Sequence, residues 1–251
     1  VSTQSTGDAI LQLIMDKSGL TQREVDKSRE CEVKKGCLFL SMLEYEENAF
    51  EKRKDFQFVI AKNLKSVSPY LFSYSSLQLV FMPQVEKIGD SAFWGCPLTA
   101  ICFLKVKKVD HWAFNNCDQL VNVFLPQGEE LGERCFDGCN SIKMLDLPKA
   151  KMIGLGQFQG CSSLRDLLIP QAEQIGELCF CQLDSKLDAD KFVCSDLCRK
   201  DRKCVICRGW LGECLRRGGD LQNRLRIRKE LEGQTLRLQQ EVVAPKMKNT
   251  E

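Results

Sequence analysis

From Phe56 onward the apolar residues return in a fixed order that is neither helical nor simply alternating. One stretch runs Leu120, Val123, Leu125, Pro126, then Leu131-Gly132, Phe136 and Cys139. The next runs Ile142, Leu145, Leu147, Pro148, then Ile153-Gly154, Phe158 and Cys161. The landmark phenylalanines Phe72, Phe93, Phe114, Phe136, Phe158 and Phe180 stand 21 or 22 residues apart. Self-similarity at such a period predicts a solenoid, in which no unit buries its own apolar groups but stacked neighbours do.

The spacing within a unit assigns each position a task. L-x-x-V-x-L reads as a short strand whose three large apolar groups point inward. In-register copies would form a parallel ladder at about 4.8 Å spacing. Proline ends the strand because it has no ladder donor to offer. Glycine after Ile or Val suits a turn with positive φ or a close backbone approach. The phenylalanines fill the wide side of each coil, so their row predicts a continuous aromatic spine. Units are good at Leu77–Pro83 and looser at Phe56–Ala61, where Lys62 replaces proline and Ser68 glycine. They are looser again at Leu98–Phe103, with Leu104 and Asp110 in those places; local irregularity is expected there. A degenerate first unit places Phe50 in the spine, with Tyr45 in the Ile position.

The string L-x-x-[IV]-x-[IL]-P-x-x-x-x-[IV]-G-x-x-x-F-x-x-C resembles the BspA-type leucine-rich repeat, also called the Treponema pallidum class. The resemblance covers Phe56–Leu183 and extends to about Gly36. It implies a leucine-rich-repeat solenoid with short parallel strands on the concave side, six to seven coils in all. It further implies protein binding or adhesion, and brings no catalytic residues.

Between the inward strand positions lie those that face out of the concave sheet: Phe58 and Ile60, Leu79 and Phe81, Ala100 and Cys102, Asn122 and Phe124, Met144 and Asp146, Asp166 and Leu168. A solvated sheet face would be polar, yet large apolar groups dominate the early coils and recur later. An exposed apolar stripe marks a contact site. This face, excepting Ala100 and Cys102, is the candidate binding surface for a protein or peptide. Cover by the chain's own ends, or a slipped strand phase, would account for the same pattern. Glu86-Lys87, Lys107-Lys108 and Glu129-Glu130 lie on another edge and read as solvated turns.

The ends differ from the repeat. Residues 1–35 read as a helical cap, with one helix over Ala9–Asp16 capped by Asp8 and another over Thr21–Ser28, together covering the first coil. The solenoid spans 36–183. Residues 184–219 are rich in cysteine, and Leu221, Leu225, Leu231, Leu238 and Val242 predict an amphipathic helical tail within 220–251. That tail offers an alternative role as a structural spacer or assembly element.

Composition narrows the chemistry. A net charge of +2 and 28% charged residues give no support for a nucleic-acid or anionic-membrane partner. No apolar run approaches the roughly 18 residues of a membrane span. The chain begins at Val1 rather than methionine, so a leader is left open. The compartment is open too, with cytoplasm slightly favoured over cell surface or secretion, and the oligomeric state is unassigned. The chain holds fifteen cysteines. Cys96, Cys117, Cys139 and Cys161 recur three residues after a spine phenylalanine and read as small apolar packing groups with free thiols. Cys194, Cys198, Cys204 and Cys207 could hold zinc tetrahedrally, although their spacing is short for a zinc finger. A disulfide-stapled cap or a reduced segment competes with zinc. The single histidine, His111, has no nucleophile motif around it. No enzyme activity and no cofactor are expected.

Overall fold

The computed structural model describes residues 3–164, 166–169, 171, 174–175 and 192–193. Two helices come first, α1 (Thr3–Ser18) and α2 (Gln22–Asp26). Strand β1 (Val33–Lys34) runs antiparallel to β2 (Cys37–Leu40), the first strand of the repeat. Each coil then supplies one long and one short strand. The series is β3 (Phe58–Ala61) with β4 (Ser66–Val67), β5 (Leu79–Phe81) with β6 (Lys87–Ile88), and β7 (Ala100–Cys102) with β8 (Lys108–Val109). It continues through β9 (Asn122–Phe124) with β10 (Glu130–Leu131), β11 (Met144–Asp146) with β12 (Met152–Ile153), and β13 (Asp166–Leu168) with β14 (Gln174–Ile175). A last strand, β15 (Phe192–Val193), pairs in parallel with β13, so strand pairing reaches past residue 183.

The long strands lie side by side in parallel, and the short ones form a second, six-stranded parallel sheet. Cys37, Phe58 and Leu79 are register partners, as are Ala100, Asn122, Met144 and Asp166. The long-strand ladder is interrupted between β5 and β7, where the Thr99 amide still donates to the Gln78 carbonyl at 3.0 Å. The change of period from 21 to 22 has a local cause. From Leu79 to Phe93 and from Asn122 to Phe136 the chain advances 14 residues alike. The extra residue lies after the phenylalanine, where Cys117-Asp118-Gln119-Leu120 replaces Cys96-Pro97-Leu98.

The spine is continuous from the degenerate first coil onward. Phe50, Phe72, Phe93, Phe114, Phe136 and Phe158 stack in sequence, with centroids 5.2 to 6.3 Å apart and planes within 14° of parallel. Each offset stack contributes about 0.5–1.5 kcal/mol beyond the area it buries. Left-handed residues flank each ring, as Trp112 (φ 51°) and Asn116 (φ 56°) flank Phe114. They turn alternate amides toward the next coil. Trp112, Phe114 and Asn116 donate to the carbonyls of Glu133, Cys135 and Asp137 at 2.8 to 2.9 Å.

The cysteine row does more than fill space. Cys117 donates its thiol to the Phe93 carbonyl at 3.2 Å, and Cys139 to that of Phe114 at 3.1 Å. Cys96 and Cys161 repeat the contact on Phe72 and Phe136. Each carbonyl also accepts the amide three residues on in its own turn, so both lone pairs are used. Burial pushes these thiols up, Cys96 to about 11 and Cys161 to about 12, which keeps them protonated as donors. All four are free and buried.

Of the two roles open to the glycine after Ile, close approach decides. A Cβ on Gly154 would lie 2.6 Å from the backbone of Gly132 and Glu133, and one on Gly132 would lie 2.6 Å from Asp110. The departures at other coils carry contacts rather than disorder the coil. Lys62, in the proline place, pairs with Asp26 of α2 at 3.1 Å. Asp110 pairs with Lys87 at 2.9 Å and Lys108 at 3.6 Å, and the Ser68 hydroxyl donates to the Tyr45 carbonyl. Lys87, Lys108 and Glu130 occupy short strands, not turns as expected; two-residue strands are too brief to show alternation in sequence.

Candidate binding face

The long strands present two outward rows. One is Cys37, Phe58, Leu79, Ala100, Asn122, Met144 and Asp166; the other is Phe39, Ile60, Phe81, Cys102, Phe124, Asp146 and Leu168. The strand phase read from sequence therefore stands. Val59, Val80, Ile101 and Leu145 belong to the main core, while Phe58, Ile60, Leu79, Phe81 and Ala100 belong to a separate apolar cluster on the other side.

That second cluster corrects the expected exposure of the first coils. Phe58, Ile60, Leu79 and Phe81 face outward, but they are buried in one cluster with residues of the N-terminal segment that carries α1 and α2, with Phe81 the most accessible at 8%. Ile10 and Ile14, one turn apart, form the helix's contact stripe and pack against this cluster with Leu20 and Val25. The helix lies against β5 and β7. A helix crossing strands advances about 6 Å between residues i and i+4. Strands are about 4.8 Å apart, so successive stripe residues meet successive strands. Ile10 and Ile14 each gain roughly 1.5–3 kcal/mol by this burial. The helix begins at Thr3, so Asp8 lies inside it rather than capping it: the stripe against the sheet, not a local cap, sets its extent. The cover also reaches beyond the first coil, to Ala100 of β7, the fourth of the long strands.

The cover is fastened at its C-terminal side. Thr21 and Glu24 form a capping box at α2, and the Glu24 carboxylate meets Lys34 and Lys35 at 3.1 and 3.0 Å. Lys35 also donates to the Gly19 carbonyl at 2.7 Å. The Thr21 amide, followed by the two lysines, lowers the Glu24 carboxyl from 4.5 to about 2. Burial works against the charge on Glu30, yet hydrogen bonds from Ser41 and Tyr45 hold its carboxyl below the ordinary value. A small cleft of about 150 Å³ opens where α2 meets the sheet, between Val25, Arg29, Phe39, Ser41, Ile60 and Lys62.

Beyond α1 the face changes character. Asn122, Phe124, Met144 and Asp146 are half-buried and remain accessible, with Val121 exposed at the strand entry. The Asn122 Oδ1 is shielded from solvent and has no hydrogen-bond partner among the described residues. Cys102, at the margin of the cover, is half-buried, and burial pushes its thiol up to about 12. Asp166 and Leu168 continue the two rows by register; their side chains lie outside the described residues. So do Cys194, Cys198, Cys204, Cys207 and the amphipathic tail. Among the described residues no cluster of metal-ligating side chains occurs, and no helix is long and apolar enough to cross a membrane. His111 accepts the Glu133 amide through Nδ1 at 3.1 Å, tying two turns together.

This geometry defines a leucine-rich-repeat solenoid. The family described as BspA type leucine rich repeat region matches in six copies, over residues 30–111 and 86–192, and the chain belongs to it. Among solved structures, the chain is similar to the T. pallidum leucine-rich repeat protein TpLRR. Identity is 22%, over 61% of this chain and 79% of that one, with a TM-score of 0.55. A leucine-rich repeat protein from Bacteroides ovatus shares 21% identity over 53% of this chain and 48% of its own, with a TM-score of 0.40. The pneumococcal vaccine antigen PcpA shares 15% over 57% and 58%, with a TM-score of 0.32. At these identities the likeness to TpLRR concerns the fold. No curated protein matches the chain. Repeat proteins of this family serve protein–protein interaction or adhesion in general and are generally non-enzymatic binding modules.

Proposed function

We propose that this chain is a non-enzymatic interaction or adhesion module that holds a protein or peptide partner on the sheet face beyond α1. The observation that carries the reading is the accessible group of Phe124 and Met144 beside Asn122 and Asp146, on a face whose other half is closed by the chain itself. Apolar groups left open among polar ones on a rigid sheet are what a contact surface requires. Asp166 and Leu168 extend the proposed site by register. Phe58, Ile60, Leu79 and Phe81 support it from beneath the cover rather than by direct contact.

The test is affinity capture from the native source with the full chain and its Phe124→Asp variant. The variant is expected to stay folded, with at most about 1 kcal/mol of lost stability, and to lose a partner that the parent retains. Identical capture by both chains would sink the reading.

A further inference from the structure

We infer that the cleft where α2 meets the sheet is a second binding site, which takes the C-terminal residue of a polypeptide partner, with an aliphatic side chain inside and the free carboxylate on Arg29. The cleft opens at β2 and β3, whereas the proposed contact surface lies on β9 and β11, so the two readings stand or fall separately.

Size sets the class of ligand. Sites for cofactors and other small molecules run to about 300–1,000 Å³, and this cleft offers about 150 Å³. A space of that size admits one group as large as a benzene ring, which is the scale of a single leucine or methionine side chain. Its walls suit such a group, since Val25, Phe39 and Ile60 line it and are buried apolar residues. An apolar side chain displaces water from such walls favourably. The rim is held by the chain's own contacts. Lys62 pairs with Asp26 at 3.1 Å, and Gln22 donates to the same Asp26 oxygen at 2.9 Å. A cleft preorganised in this way costs a ligand little ordering.

The polar groups of the lining choose among ligands that carry such a side chain. The Ser28 hydroxyl donates to the Val25 carbonyl at 2.8 Å, the Ser41 hydroxyl to Glu30, and the Asn63 Nδ2 to the Ser41 carbonyl at 3.1 Å. Lys62 neutralises Asp26. Two groups are left over among the described residues. One is the Arg29 guanidinium, which makes no ion pair; the other is the Asn63 Oδ1, which accepts no hydrogen bond. Both residues are exposed, so neither has to be uncovered first. A cation beside a single acceptor is the complement of a chain terminus. The terminal carboxylate meets the guanidinium, the last N–H is a donor for Asn63 Oδ1, and the side chain enters the cleft. An internal residue brings a neutral carbonyl instead, which a guanidinium holds less strongly than a carboxylate.

The experiment is an NMR titration of the isotope-labelled full chain with three probes: N-acetyl-leucine, N-acetylleucinamide and N-acetylglycine. N-acetyl-leucine is expected to shift the amides of Ile60 and Asn63 and to saturate in the millimolar range that suits a ligand of its size. Removing the charge or the side chain of the probe should each weaken binding at least about fivefold. Arg29→Gln should keep the fold, because that side chain has no ion pair to lose, and should bring acid and amide to equal affinity. A preference for the acid that survives Arg29→Gln overturns the inference. Equal binding of acid and amide by the parent chain overturns it too, as does the absence of saturation up to about 30 mM. Shifts centred on Phe124 instead of Ile60 would place the ligand on the other surface and overturn it as well. Capture of a partner through Phe124 is a separate readout, which none of these results decides.

Discussion

The two halves of one sheet face differ in what lies on them, although they are built by the same repeat. Phe58, Ile60, Leu79 and Phe81 are sealed by the N-terminal segment that carries α1 and α2, while Asn122, Phe124, Met144 and Asp146 occupy equivalent positions and remain accessible. Composition follows cover. Where the N-terminal segment lies, both outward rows are apolar; past its reach, β9, β11 and β13 each carry one polar residue among their outward positions. A repeat thus fixes where a side chain points, and the terminal segment decides whether that position is core or surface.

The largest expected effect comes from placing one carboxylate in each half. Phe81→Asp puts a charge into the apolar layer between α1 and the sheet. Loss of the aromatic packing alone costs about 3–5 kcal/mol, and desolvation of the carboxylate adds to it. Phe124→Asp replaces a half-buried group at an accessible position and is expected to cost about 1 kcal/mol or less. Urea unfolding of both variants measures the contrast. Equal losses would mean that the two halves are alike and that the open face is core.

This contrast also marks what could be read from sequence. The spine was legible from Phe50 to Phe158 because each phenylalanine stands at a fixed distance from its strand, and Phe50 could be placed by counting back one period; Phe180, the next landmark, lies outside the described residues. The outward direction of Phe81 was legible from alternation in the same way. Its cover was not, because alternation says which side a residue faces and nothing about what rests there. Ile10 and Ile14 announce a helix stripe, but the surface that receives it lies some 25 to 90 residues further along the chain. Long-range packing of that kind leaves no local mark. The thiol contacts of Cys117 and Cys139 were hidden for a similar reason: their acceptors are carbonyls one coil away.

A smaller perturbation asks whether the cover itself maintains the difference. Ile14 is fully buried in the layer between α1 and the sheet. Ile14→Ala removes most of that footing and is expected to weaken helix docking by about 2–4 kcal/mol, leaving the spine intact. Cys37 reports the event locally. Its thiol lies under the cover beside Ser18, and burial pushes it up to about 12. Alkylation of Cys37, followed by peptide mass spectrometry, should accelerate in Ile14→Ala while Cys117 in the spine stays protected. If both thiols react faster together, α1 is an integral part of the solenoid core rather than a separable cover.

The mildest test uses pH and acts on the fastening alone. The Glu24 carboxyl is lowered to about 2 by the Thr21 amide and by Lys35 and Lys34, so it is more acidic folded than unfolded. A group depressed in the folded state contributes stability that is fully present above its unfolded value near 4.5, and loses it as pH falls toward 2. Asp26, held down by Lys62, acts in the same direction at the same end of the molecule. Acidification through this window should therefore loosen α2 from β1 before it disturbs β9 and β11. The Thr21 amide resonance reports Glu24 directly, because that amide donates to the carboxylate at 2.9 Å. Its shift should titrate well below 4.5 in the parent chain, and Glu24→Gln should abolish the titration while keeping an acceptor for the cap. A Thr21 shift that moved in step with the Asn122 amide would show that acid unfolds both halves as one unit, and the distinction between cover and open face would fall with it.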